Sequence, residues 1–300
     1  MHCAQYKSAR FDLLDNNQPS NRHSNFMDLT HTSGYALAVL FLLRAKPGDF
    51  ASHFGIKCAS FSKMNIGTSR RSACGPVGHS EHRSVQIANN LLERTCALVL
   101  LVTALGGAWS VEQPSGSLLE FYPVWREVIQ HIFSCGSTTS VQCVKWWMAH
   151  YSSKTAKRHY CYSNTASILK IDKGKLQGWK SKHPGIKTAD RYRDGSGKLR
   201  YKGTVHLRGT ENYPVPFARA VVDLVEEMKA TAEGQPQLPP RELLPPAIET
   251  FTTAGWEESD TWQFADFIPV YNYLRRCKHL VVPREWQTLL PIKLHETTVV

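Results

Sequence analysis

The stretch from Glu81 to Leu105, followed by Gly106-Gly107 and the compact run Ala108-Trp109-Ser110-Val111-Glu112, restricts the fold of this chain more than any other feature. Val85, Ala88, Leu92, Cys96 and Val99 recur at spacings of three and four, which puts them on one face of a helix. The glycine pair offers the left-handed conformation that closes such a helix. Gln113-Pro114-Ser115-Gly116-Ser117 turns the chain after the short run, which therefore reads as a strand. Upstream, Asp49 to Cys58 reads as a second strand. Strand, loop, long helix and strand make a βαβ unit, whose right-handed crossover sets the strands parallel with both carboxyl ends on one sheet edge. Cys58 and Glu112 occupy those ends.

The remaining elements are read in the same way. Residues 1–30 are polar and form an irregular lead-in. Thr32 or Ser33 caps a helix whose apolar body is Tyr35 to Leu43, and Pro47-Gly48 stop it. A further helix runs from Tyr122 to Phe133, and strands follow at Val141 to Trp147 and Arg158 to Ser163. Asp194-Gly195-Ser196-Gly197 is a hairpin signal between Arg191-Tyr192-Arg193 and Lys198-Leu199-Arg200-Tyr201. From Phe217, the residues Ala220, Val221, Leu224, Val225 and Met228 form one apolar stripe, so this helix is expected to dock. Residues 231–246 hold five prolines and read as a linker, and 247–300 as an aromatic-rich tail that is either packed or partner-binding. Residues 31–230 are thus expected to form one α/β domain.

With 42% apolar and 20% charged residues, the chain is neither disordered nor collagenous, and its eight cysteines, without a C-x-x-C pair, do not make a disulfide scaffold. Free thiols and an intracellular location, nuclear or cytoplasmic, are expected, because no secretory apolar segment follows Met1. The apolar runs Tyr35 to Leu43 and Cys96 to Leu105 fall short of the roughly 18–20 residues that cross a bilayer, so no membrane partner is expected. The charge is local. Residues 154–208 carry fifteen Lys and Arg against three acids, a net +12, which leaves −1 for the rest of the chain. Interleaved with Tyr160, Tyr162, Trp179, Tyr192 and Tyr201, the cations suit phosphate neutralisation and base stacking, and DNA or RNA is the expected partner. Lys154, Lys157, Arg158, Arg191, Arg193 and Arg200 are its candidate contacts. A solvated basic face without a specific partner is the plainer alternative.

Open α/β sheets bind ligands at the carboxyl ends of their strands, which makes Cys58 and Glu112 the leading chemical pair. A thiolate is a strong nucleophile once its pKa is lowered, and a nearby carboxylate can hold or protonate a substrate ring. The same residues also read as a small buried hydrophobe and a turn or cap residue. Cys74 with His79 and His82, and His159 with Cys161, lack the spacing and the fourth ligand of a structural zinc site, so no metal is expected.

The run Phe54-Gly55-Ile56-Lys57-Cys58-Ala59-Ser60-Phe61-Ser62, with Asn65 and Gly67 to Ser72, resembles the nucleophile loop of cytosine-C5 DNA methyltransferases. Val111-Glu112-Gln113-Pro114 is similar to their Glu-Asn strand end, and Tyr151 to Tyr160, with Lys157 and Arg158, to a later basic motif. A closer overall similarity is to protist proteins that share a degenerate form of this core. The resemblance spans residues 25–210 and implies a Rossmann-like, mostly parallel sheet flanked by helices, here with a basic hairpin and a C-terminal extension. It implies Cys58 as nucleophile toward C6 of a flipped cytosine, Glu112 as the acid contacting the base, and S-adenosylmethionine as cofactor. Lys57, Ala59 and Gln113 depart from the family pattern. In place of its glycine-rich cofactor loop the nearest match is Asp28-Leu29-Thr30 with Gly34, which makes Asp28 and Gly34 the implied cofactor contacts. Three readings follow: a nucleic-acid-associated protein on a degenerate core without strong catalysis, an active S-adenosylmethionine-dependent cytosine methyltransferase, and a scaffold acting through its C-terminal tail.

Overall fold

The computed structural model describes residues 8–9, 11–12, 27–135, 141–183, 185–210 and 212–230. The proposed linker and tail, and most of the lead-in, lie outside the described residues. Those up to 44 belong to one compact unit and those from 45 onward to another. The first unit contains helix α1 (Thr32–Leu43).

The second unit begins with β1 (Ala51–Gly55) and crosses through α2 (Arg83–Ala104) to β2 (Ala108–Pro114). As the glycine pair predicts, α2 ends in paired backbone hydrogen bonds, Gly106 N to Thr103 O at 3.0 Å and Gly107 N to Val102 O at 2.8 Å, with Gly106 at φ +69°. Gly107 is required for a second reason: a Cβ there would lie 2.4 Å from the Phe50 ring. β1 and β2 pair in parallel from Ala51↔Ala108 to Gly55↔Glu112.

Helix α3 (Pro123–Cys135), β3 (Gln142–Trp147) and β4 (Arg158–Ser163) follow. β4 pairs antiparallel with both β2 and β3, giving the order β1-β2-β4-β3. The fold is α/β, but its four-stranded sheet is mixed, with one parallel and two antiparallel pairs, rather than mostly parallel. The cause is the connection Met148–Lys157, a single short turn with no crossover helix, which can only return β4 alongside β3 as a hairpin.

Two layers cover the sheet. On one side Trp109 meets Trp125 of α3 edge-on at 6.1 Å and donates through Nε1 to Thr103 of α2, so the two helices and this face share one core. By length and composition alone α2 could cross a membrane, yet here its Val85, Leu92, Val99 and Val102 are buried in this layer. On the other side Val144, Trp146 and Cys161 pack with Phe217 and Leu224, part of helix α4 (Val215–Ala230). Phe217 stacks on Trp146 at 5.5 Å with a 6° tilt, and its burial stabilises the docking of α4 by roughly 2–3 kcal/mol. Strands β5 (Ala189–Arg193) and β6 (Leu199–Gly203) form a separate antiparallel ribbon, the expected hairpin.

Candidate functional site

β2 sends alternate side chains to the two layers. Trp109, Val111 and Gln113 face α2 and α3, while Ser110 and Glu112 face the layer of α4. Glu112 is not at the strand end, because β2 continues to Pro114. Its register partners are Gly55 on β1 and Cys161 on β4. His159, two residues before Cys161, shares that face and stacks on Trp146 at 5.6 Å.

Both carboxylate oxygens of Glu112 are engaged: Oε1 by Nδ1 of His159 and Oε2 by the hydroxyl of Tyr213. An ionised carboxylate only accepts, so Nδ1 of His159 carries a hydrogen and donates it, as does the Tyr213 hydroxyl. Burial pushes the Glu112 carboxyl up. The hydrogen bond and charge of His159, the Tyr213 hydroxyl and the neighbouring His53 outweigh it, and the net pKa lies below the usual value. Glu112 is therefore a held anion.

Tyr213 is 37% exposed as a residue, but its hydroxyl end is enclosed, 2.9 Å from where a Cβ of Gly55 would stand. Burial, the charge and hydrogen bond of Glu112, and then Cys161 and Cys58 push its phenol well above the ordinary range. His53 meets the Tyr213 ring edge-on at 5.7 Å and reaches Ser110 Oγ at 2.8 Å. As a residue His53 is exposed, so the desolvation that lowers its pKa, opposed by Glu112, is screened by solvent.

Cys58 stands three residues beyond β1, half-buried and reduced. Its carbonyl accepts from Phe61 N and Ser62 N at 3.0 and 2.9 Å, which folds the chain back at once. Of the sequence-derived pair, Glu112 hydrogen-bonds Tyr213 directly, and Cys58 adds only the smallest of the electrostatic influences on the same phenol. Cys161 is buried, and burial followed by the Glu112 charge raises its thiol well above the normal range, so it is an inert thiol.

The loop carrying Cys58 is fixed from two sides. Gln113 donates to Ile56 O at 2.7 Å and accepts from Ser117 Oγ at 2.9 Å. Arg71, fully buried, lies 4.1 Å from the centroid of the Phe61 ring. Its guanidinium donates to Ser60 O and Oγ, Pro76 O, Val77 O and Asn89 Oδ1, which occupies all five N–H groups. Among the described residues no carboxylate pairs with it, and with every donor spent it has none left for a ligand anion.

Asp28 and Gly34 lie in the other unit. Asp28 Oδ1 accepts from Thr30 N and Oγ1 at 2.8 and 2.7 Å, and a Cβ on Gly34 would meet the Asp28 carbonyl at 2.0 Å. The glycine is required by the start of α1 itself, and the carboxylate is spent on the turn. This pair does not fit the cradle that a nucleoside cofactor needs. A cavity of about 30 Å³ beside His53, lined among others by Trp109, Ile168 and Leu224, has room for about one water.

Of the basic candidates, Lys154, Arg158, Arg191, Arg193 and Arg200 are exposed; half-buried Lys157 donates to Thr210 Oγ1 at 3.2 Å, and Arg158 lies over the Trp147 ring at 5.3 Å. Among the described lysines and arginines of 154–208, only Lys170 and Arg200 form ion pairs, with Glu227 and Asp194. Tyr213 and His53 are functional neighbours that sequence reasoning missed, and no motif marks them; His159 reads in the sequence only as a metal candidate beside Cys161 or part of the basic Tyr151 to Tyr160 run, and Arg71 only as part of the Gly67 to Ser72 run, so their partners were not legible. Compared with known family models, curated proteins and solved structures, the chain matches none.

Proposed function

We propose that this protein binds nucleic acid through its basic segment, carried on a mixed α/β core in which the Cys58–Glu112 pair no longer sustains strong catalysis. The observation that carries the reading is the exposure of this segment's cations without acidic partners. A net +12 is confined to residues 154–208, and of the described lysines and arginines there only two are ion-paired. Uncompensated surface cations of one sign raise the local concentration of polyanions and release counterions on contact with phosphates.

The second half of the reading rests on Glu112. An acid that recognises a nucleobase must present an oxygen to it, and here Glu112 is buried with one oxygen held by His159 and the other by Tyr213. A Rossmann-like ancestry belongs to the same proposal and is supported by the β1–α2–β2 unit alone. The rival reading, an S-adenosylmethionine-dependent cytosine methyltransferase, draws on the shared surroundings of Cys58 and Glu112 at Tyr213. Calorimetric titration with the cofactor separates the two: saturable heat favours the enzyme.

The binding itself is tested by fluorescence anisotropy of labelled DNA and RNA against the full chain and a Lys154→Ala/Lys157→Ala/Arg158→Ala variant. The reading predicts binding that the triple substitution weakens about tenfold or more. Equal affinity of variant and parent for every nucleic acid tried would count against a role for that part of the segment, and no binding by the parent would end the proposal.

A further inference from the structure

The ribbon β5–β6 is almost wholly exposed: apart from Ala189, every residue of its two strands is exposed. It therefore contributes no face to a core, and its sequence is free to serve a partner. Its register sorts its side chains into two faces that differ in charge. Cross-strand partners share a face, so Arg191 and Tyr201 lie together with Arg193 and Leu199 on one side, and Asp190 and Lys202 with Tyr192 and Arg200 on the other.

On the second face Lys202 stands opposite Asp190, and the Arg200 Nε donates to Asp194 Oδ2 at 2.7 Å, so each cation has an acid at hand. The first face has two guanidiniums and no acid. Arg193 donates to the Gly197 carbonyl at 2.7 Å, a neutral partner that fixes its position without cancelling its charge. Tyr201, opposite Arg191, adds an aromatic surface that is 48% exposed.

The tip is held rigid. Asp194 Oδ1 accepts from Ser196 N and Lys198 N at 3.0 Å each and from Ser196 Oγ at 2.6 Å, while Gly197 takes the left-handed conformation at φ +76° that the turn needs. A ribbon ordered before binding loses less entropy when it docks.

Resting on the nucleic-acid reading above, we propose that this ribbon enters the major groove of double-stranded DNA and presents the face of Arg191, Arg193 and Tyr201 to it. Two strands about 5 Å apart fit a B-form major groove, roughly 12 Å wide, whereas the major groove of A-form RNA is too narrow and deep for side chains to read. Arginine in that groove has bidentate acceptors on guanine and phosphate oxygens at the rim, and Tyr201 supplies apolar contact to thymine methyls.

The test compares two variants of the full chain that lose equal charge from opposite faces, Arg191→Ala/Arg193→Ala and Arg200→Ala/Lys202→Ala, in anisotropy titrations with a DNA duplex, an RNA duplex of the same sequence and single-stranded DNA. The proposal expects the parent to prefer duplex DNA. It also expects the first variant to lose about tenfold or more in affinity for that duplex, and the second less than about threefold. Equal losses from the two faces, or a parent that binds RNA duplex or single strands as tightly as duplex DNA, would overturn it. A parent that binds duplex DNA while the first variant binds like the parent refutes the ribbon and leaves the wider reading intact; a parent that binds no nucleic acid refutes both.

Discussion

Gly55 makes room for the hydroxyl of Tyr213: a Cβ at that position would stand 2.9 Å from the phenolic oxygen. Gly55 is also the register partner of Glu112, so the glycine clears the path by which Tyr213 reaches the carboxylate. Replacing Gly55 with Ala is predicted to destabilise the protein by about 1 kcal/mol, because the Tyr213 hydroxyl, at the end of its side chain, must shift and weaken its hydrogen bond to Glu112. Urea unfolding measures it. In a Tyr213→Phe background the same substitution should cost less, since the clashing atom is gone; an unchanged cost would show that the two residues do not interact in this way.

Tyr213→Phe alone removes one of the two donors to Glu112. It leaves Oε2 of a 6%-exposed carboxylate unsatisfied, and a loss of about 1–3 kcal/mol is expected at neutral pH. The midpoint of chemical denaturation reads it directly.

Acid should destabilise this fold chiefly through the buried Glu112, with a smaller contribution at higher pH from the exposed His53. A folded His53 with a pKa below its ordinary 6.5 binds fewer protons than the unfolded chain. Its contribution is complete above that value and is lost as the pH falls toward the folded pKa. Glu112, also lowered, contributes fully above the unfolded carboxyl value of about 4.3 and loses that contribution as the pH drops through its folded value. Denaturation midpoints from pH 8 to pH 3 should fall mainly in the lower window. Glu112→Gln should flatten the lower one, and an unchanged acid limb in that variant would contradict the assignment.

Arg71→Met keeps the apolar stem but strands the Ser60 and Pro76 carbonyls, the Ser60 hydroxyl and Asn89 Oδ1, and leaves Val77 O only the Asn89 amide at 3.3 Å. A loss of at least about 3 kcal/mol is predicted, together with early protease cleavage between Cys58 and Gly78. Arg71→Lys should recover little, since an ammonium cannot span donors arranged as a planar fork.

The elements that were legible in the sequence are those whose signals are local. The spacing of Val85, Leu92 and Val99 and the pair Gly106-Gly107 define α2, and the Asp194 to Gly197 turn defines the ribbon. Pairing direction is a property of connections and partners. Arg158 to Ser163 reads as a strand, but nothing in those residues says that it lies between β2 and β3, which makes the sheet mixed. The surroundings of Glu112 were equally hidden, because its partners stand 47 and 101 residues away in the chain. Arg71 was hidden for another reason: its partners are mostly backbone carbonyls, which any residue supplies.

The most direct test of the account is the salt dependence of nucleic-acid binding by the full chain. Affinity for a DNA duplex, measured by anisotropy at a series of salt concentrations, should fall linearly on a double-logarithmic plot. Each phosphate engaged contributes a slope of about −0.9, so a basic segment that neutralises several gives about −3 or steeper. A flat line, or no binding at low salt, would contradict the claim that residues 154–208 are a nucleic-acid surface.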